Sequence, residues 1–174
     1  DDEQWQEVAA KVARAVRSSQ KTALVALDEA HFIAPQKGGY PDAIQGLATT
    51  GRGEGVSTMW IAQRLSLMDE TPVAQSDIRL VGGLTSDADL NKLAGSIDYN
   101  EEVHNPMNQT VRVPDEIYRD GQPLHRWTEN DQTVGSEWIH SDDEGTMRRI
   151  DSRTLSMEST HYGPDGNTLS IPGT

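Results

Sequence analysis

The 174-residue chain carries 28 acidic against 15 basic side chains, a formal net charge of -13, and no cysteine. The missing thiols exclude disulfides and thiolate metal sites. No apolar run approaches the roughly 20 residues that cross a bilayer, and the amino terminus lacks a signal peptide's apolar region, which predicts a cytoplasmic protein without a membrane segment.

Residues 2–19 read as an amphipathic helix, because Trp5, Val8, Ala9, Val12 and Val16 recur at three- and four-residue steps and are expected to pack on a sheet. Lys11, Arg14 and Arg17 lie outside that stripe and read as a solvated face, with Arg17 suited to the helix carboxyl end. An apolar, β-prone run follows at 22–27 and stops abruptly at two adjacent acids, Asp28 and Glu29, then Ala30 and His31. Unpaired charge is strongly disfavoured beside a buried strand, so two carboxylates at its carboxyl end point to a cation at that edge. Acids also complement the dipole of a helix start, which is the plainer reading of the same pair.

A loop punctuated by Pro35, Gly38, Gly39 and Pro41 leads to a short helix at 42–50 and a glycine turn. A second apolar strand then ends at Gln63, which a parallel neighbour would set close to Asp28 and Glu29. A helix initiated near Pro72, a third run at 77–84 and a helix over 86–94 complete the alternation, and strands alternating with helices predict a parallel, doubly wound α/β sheet. Beyond about Asn100 the texture changes to short β-prone runs at 109–113, 124–128, 136–140 and 147–150, separated by polar turns such as 119–123; from Tyr162 onward the sequence reads as a loose terminus.

The segment from about Ala23 to about Leu93 resembles the carboxyl-terminal half of the ATPase core of the HerA/FtsK superfamily, ring-forming DNA-pumping motors of the P-loop class. The resemblance rests on Asp28-Glu29-Ala30-His31 after an apolar strand, on Gly51-Arg52 with Gly55-Val56, and on Ile61-Ala62-Gln63-Arg64-Leu65-Ser66. Val73-Ala74-Gln75-Ser76-Asp77-Ile78-Arg79 and Leu84-Thr85-Ser86-Asp87-Ala88-Asp89-Leu90 complete it. It implies a Walker B site for ATP, in which Asp28 holds Mg²⁺ through its water shell and Glu29 polarises the attacking water. Gln63 would sense the γ-phosphate or orient water, and Arg52 and Arg79 are candidates for completing a neighbouring subunit's site. Double-stranded DNA and a homo-oligomeric ring, a hexamer in the intact protein, are the implied partners.

The chain departs from the family pattern at several points. Gly53 and Glu54 occupy positions where the family usually has a basic residue and an aromatic, and Gly83 stands where a second arginine often follows the third strand. No Gly-x-x-x-x-Gly-Lys-Ser/Thr occurs, so the amides and lysine that cradle the β- and γ-phosphates are missing. The expectation is a fragment or natural truncation whose upstream portion held the phosphate loop. Residues 1–100 are then the carboxyl-terminal half of a P-loop core with its parallel sheet and flanking helices, 101–155 a β-rich extension and 156–174 a flexible tail.

Four lysines stand against eleven arginines. This acid-rich, lysine-poor composition resembles proteins of salt-loving archaea and their viruses, and leaves a virus-associated location in a host cytoplasm as an alternative. At molar salt the Debye length is about 3 Å or less, so an acidic surface repels DNA far less than its charge suggests.

The five histidines show no paired zinc-ligand spacing, and no Gly-x-Ser-x-Gly elbow occurs. The letters Asp28-Glu29-Ala30-His31 also belong to DEAH-type helicases, but those continue to a Ser-Ala-Thr strand where this chain has Ala62-Gln63-Arg64. His31 reads either as a link between nucleotide state and a DNA-facing element or as a locally packed helix-start histidine. The expected function is part of an ATP-driven DNA translocase, helicase or genome-packaging motor. The alternative is a nucleotide-independent interaction domain that keeps the fold without the phosphate loop.

Overall fold

The computed structural model describes residues 2–84, 86–94, 124–144 and 146–155. They fall into two compact units: one comprises 2–77 with 86–94, the other 78–84 with 124–144 and 146–155. The β-prone run at 109–113, the turn at 119–123 and the tail from Tyr162 lie outside the described residues.

In the first unit, α1 (Asp2–Ser18) precedes β1 (Ala23–Leu27), α2 (Ala30–Ile33), α3 (Asp42–Thr49), β2 (Val56–Trp60), α4 (Glu70–Ala74) and α5 (Asp87–Ala94). Strands β1 and β2 pair in parallel, Ala23 opposite Val56 through Leu27 opposite Trp60. The alternation of side chains along a strand puts Val25, Leu27 and Val56 on one face, where they join Ala10 and Ala13 of α1 and Ile44 and Leu47 of α3 in the core. The opposite face carries Leu24, Met59 and Ile61, all exposed. Helix α1 docks through its small residues, Ala9, Ala10 and Ala13, with Val16, whereas Trp5, Val8 and Val12 of the expected stripe are exposed. Alanine at the contact lets α1 lie close to its neighbours.

Arg17 does more than complement a helix end: its guanidinium donates to both Glu54 carboxylate oxygens, at 2.6 and 2.7 Å, and to Thr50 Oγ1 at 2.9 Å. Gly46 makes room for it, since a Cβ there would sit 2.1 Å from Arg17 Nη1. Gly55, at φ 81°, turns the chain into β2, and its carbonyl accepts from Ala23 N at 3.1 Å.

The second unit is built on β5 (Gln132–Asp142), which pairs antiparallel with β3 (Ile78–Val81), β4 (Arg126–Glu129) and β6 (Met147–Asp151). The hairpin between β4 and β5 turns on Asn130 and Asp131, both at positive φ (49° and 62°), the geometry that matches the right-handed twist of its strands. Arg153 lies 3.3 Å over the Trp127 ring, an approach that Gly135 permits because a Cβ there would meet Arg153 Cγ at 2.3 Å.

The third expected strand is thus not a member of the parallel sheet. Residues 78–81 alternate exposed Ile78 and Leu80 with Arg79, whose side chain is largely buried and pairs with Asp143 at 3.4 Å. A parallel strand covered on both faces needs a nearly continuous apolar run. Here the segment pairs antiparallel with β5, and the largely buried Arg79 is held by the Asp143 carboxylate.

A buried carboxylate closes the first unit. Asp89 of α5 is 3% exposed and accepts from Ser66 N at 2.7 Å and from Arg64 Nε at 3.2 Å. Burial pulls its pKa up, but the Ser66 bonds and the Arg64 charge outweigh burial and hold the carboxyl below its ordinary value. A depressed folded-state pKa gives stability that is present above the unfolded pKa and lost as the pH falls through the folded one. Urea unfolding should therefore show stability declining from about pH 5 downward, with a shallower decline in Asp89→Asn. Asp89→Ala, which strands the Ser66 N–H, should cost about 1–3 kcal/mol at neutral pH; an unchanged midpoint would remove Asp89 from the framework.

Candidate functional site

The site lies where β1 and β2 end. The parallel pairing continues past both strands: Ile61 N donates to Leu27 O at 2.9 Å, and Ala30 N donates to Ile61 O at 2.8 Å. These two bonds straddle Asp28 and Glu29, so the acid pair is a turn pinned at both ends to the extension of β2. Within the turn Asp28 Oδ1 accepts from Glu29 N at 2.9 Å, and the Asp28 side chain stays exposed. Glu29 caps α2 in the left-handed region, at φ 49° and ψ 43°. A non-glycine residue there is sterically penalised, and such strain is concentrated at functional sites.

Gln63, two residues beyond Ile61, donates from Nε2 to Glu29 Oε1. The other oxygen, Oε2, is buried without a hydrogen-bond partner and lies 3.4 Å from Nδ1 of His31, itself buried and unpartnered. One carboxylate is thus held by an amide on one side and faces an imidazole on the other. Sequence reasoning brought Glu29 and Gln63 together; it left His31 as an open choice. The available signal was its two-residue spacing from Glu29 just after a strand.

The loop beyond Gln63 is anchored in turn. Arg64 and Ser66 bind Asp89, which lies in the helix expected over 86–94 and in the last block of the resemblance. Pro35 bridges Met68, Asp69 N donates to Ala34 O at 2.8 Å, and Tyr40 Oη donates to Asp69 Oδ1 at 2.9 Å. Burial and the Asp69 carboxylate push the Tyr40 phenol up to about 12. The segments after the two strands are therefore stitched together.

The two candidate arginines stand apart from these contacts. Arg52, in the 3-10 turn Gly51–Glu54, is largely exposed and pairs with Asp77 of the same unit. Arg79 belongs to the second unit, where it pairs with Asp143.

Glycine relieves left-handed strain that alanine does not. Glu29→Gly should accordingly be more stable to urea than Glu29→Ala by about 1 kcal/mol, and equal stabilities would contradict the left-handed turn.

No protein-family model matches the chain, and no curated protein matches it. Among solved structures it is similar to the genome-packaging NTPase B204 of Sulfolobus turreted icosahedral virus 2. The complex with ATP-gammaS matches at 13% identity and a TM-score of 0.56, covering 86% of this chain and 64% of that one. The complex with AMPPCP matches at 14% identity and the same TM-score of 0.56, covering 83% and 63%. The chain spans less than two thirds of the length of these structures. The fold of the chain is therefore α/β and of the P-loop NTPase type, with a short parallel sheet and a separate antiparallel one.

Proposed function

We propose that the chain supplies the Walker B and sensor half of the ATP site of a DNA-moving motor of the genome-packaging kind. The observation that carries the reading is the hydrogen bond of Gln63 to a strained, strand-end Glu29 whose second oxygen is buried and unpartnered. The likeness to a packaging NTPase bound to ATP analogues supports it.

The carboxylates fit a magnesium site. Asp28 is exposed at the strand end with one oxygen on the Glu29 amide, and no group of three or more potential metal ligands occurs among the described residues. Magnesium bound to one carboxylate, waters and substrate phosphates needs no more. When bound, the ion would neutralise charge developing on the phosphate oxygens. Glu29 takes a proton from the attacking water as its oxygen bonds to the γ-phosphorus, and the bond to the β–γ bridging oxygen breaks with its electrons leaving on ADP. Gln63 keeps the carboxylate turned towards that water. The sequence contains no Walker A loop, so on this reading the phosphate cradle is supplied by residues other than these 174.

Double-stranded DNA as the moved substrate and a hexameric ring as the working form belong to this reading, as does a location in the cytoplasm or in a virus-infected host. No described helix is long and apolar enough to cross a membrane. Arg52 and Arg79 are the proposed residues for reaching a neighbour's nucleotide.

In a protein carrying this chain together with a phosphate loop, Glu29→Gln should leave ATP binding nearly unchanged and lower kcat by about 100-fold or more. The 174-residue chain alone should not hydrolyse ATP. Turnover by the isolated chain, or full activity of Glu29→Gln, would overturn the assignment. The arginines are tested by mixing: an Ala variant of the one that acts across the interface should fail alone and regain activity when mixed with Glu29→Gln. Absence of rescue for both, with the ring assembled, would assign them structural roles.

A further inference from the structure

We infer that His31 is a positioning residue for Glu29, donating from a protonated Nδ1 to Oε2 and so completing, with Gln63 on Oε1, a two-sided clamp on the carboxylate. The inference rests on the proposed role of Glu29 as the group that receives the water proton. His31 is 8% exposed, and its Nδ1 and Glu29 Oε2 are the buried atoms at this site that have no hydrogen-bond partner, 3.4 Å apart. An ionised carboxylate only accepts, so an Nδ1 lone pair facing it would be repelled; a proton there satisfies both buried atoms in one bond. The contact is long for a hydrogen bond, as catalytic contacts often are before substrate tightens them. The ring is buried in the short helix α2, with Phe32 at 4.2 Å between centroids, while the left-handed turn fixes the Glu29 backbone two residues earlier. With both oxygens engaged, the carboxylate plane is set before water arrives, which is where catalytic misplacement is costly.

Two-bond proton–nitrogen correlation spectra of the 15N-labelled 174-residue chain test this without nucleotide. His31 should carry its proton on Nδ1 in the parent and shift to the Nε2–H tautomer in Glu29→Ala. A parent already in the Nε2–H form, or no shift on removing Glu29, would overturn the clamp whatever the chain's function. In the protein with a phosphate loop, His31→Leu should lower kcat by about 10- to 100-fold with little change in KM for ATP. His31→Asn, whose amide can donate from nearly the same place as Nδ1, should restore most of that loss. An Asn variant as impaired as Leu would overturn the inference. A parent with the Nδ1 tautomer in which Glu29→Gln hydrolyses ATP normally would instead overturn the catalytic reading of Glu29, and with it the purpose of the clamp.

Discussion

The pairing of β1 with β2 is the constraint on which the rest of the site depends. Glu29 and Gln63 are 34 residues apart in sequence, and they meet because parallel register carries Leu27 opposite Trp60 and then extends through the backbone bonds of Ile61 to Leu27 and Ala30. A one-residue slip would move Val25, Leu27 and Val56 out of the core, so burial on the α1–α3 side enforces the register that assembles the acid pair. Core packing and site geometry are one constraint seen at two distances. Asp89 extends it by fixing the loop that carries Gln63 onward through Arg64 and Ser66.

The same unit leaves chemistry and surface unfinished. It brings the Gln63 amide onto the Glu29 carboxylate and leaves the Asp28 carboxylate exposed, and the sequence contains no Walker A loop. The sheet face bearing Leu24, Met59 and Ile61 is exposed, as are Trp5, Val8 and Val12 of α1.

The first two strands, the helix at 42–49 between them and the contact of Glu29 with Gln63 were legible because each follows from a local rule: an apolar run stopped by acids, a glycine turn, and an amide soon after a second apolar run; the strand itself stops at Trp60, three residues before Gln63. The third strand misled because Ile78 and Leu80 look like core, whereas both are exposed and Arg79 between them is the largely buried side chain, paired with Asp143 in an antiparallel sheet. The stripe on α1 misled differently: periodicity identifies an apolar face without saying which part of it is covered, and alanines took the contact while Trp5, Val8 and Val12 stayed open. The roles of His31 and Asp89 were hidden because a buried polar side chain is defined by its partners, which lie on other turns and other elements.

The central claim is that Glu29 and Gln63 act as one unit on the reacting phosphate, and a double-mutant cycle on hydrolysis tests it most directly. In a protein with a phosphate loop, Glu29→Ala, Gln63→Ala and the double variant are compared by single-turnover rate. Strong non-additivity is expected, with the double variant scarcely slower than Glu29→Ala, because Gln63 has nothing left to orient. Losses that simply multiply would mean the two residues act independently, and would contradict it.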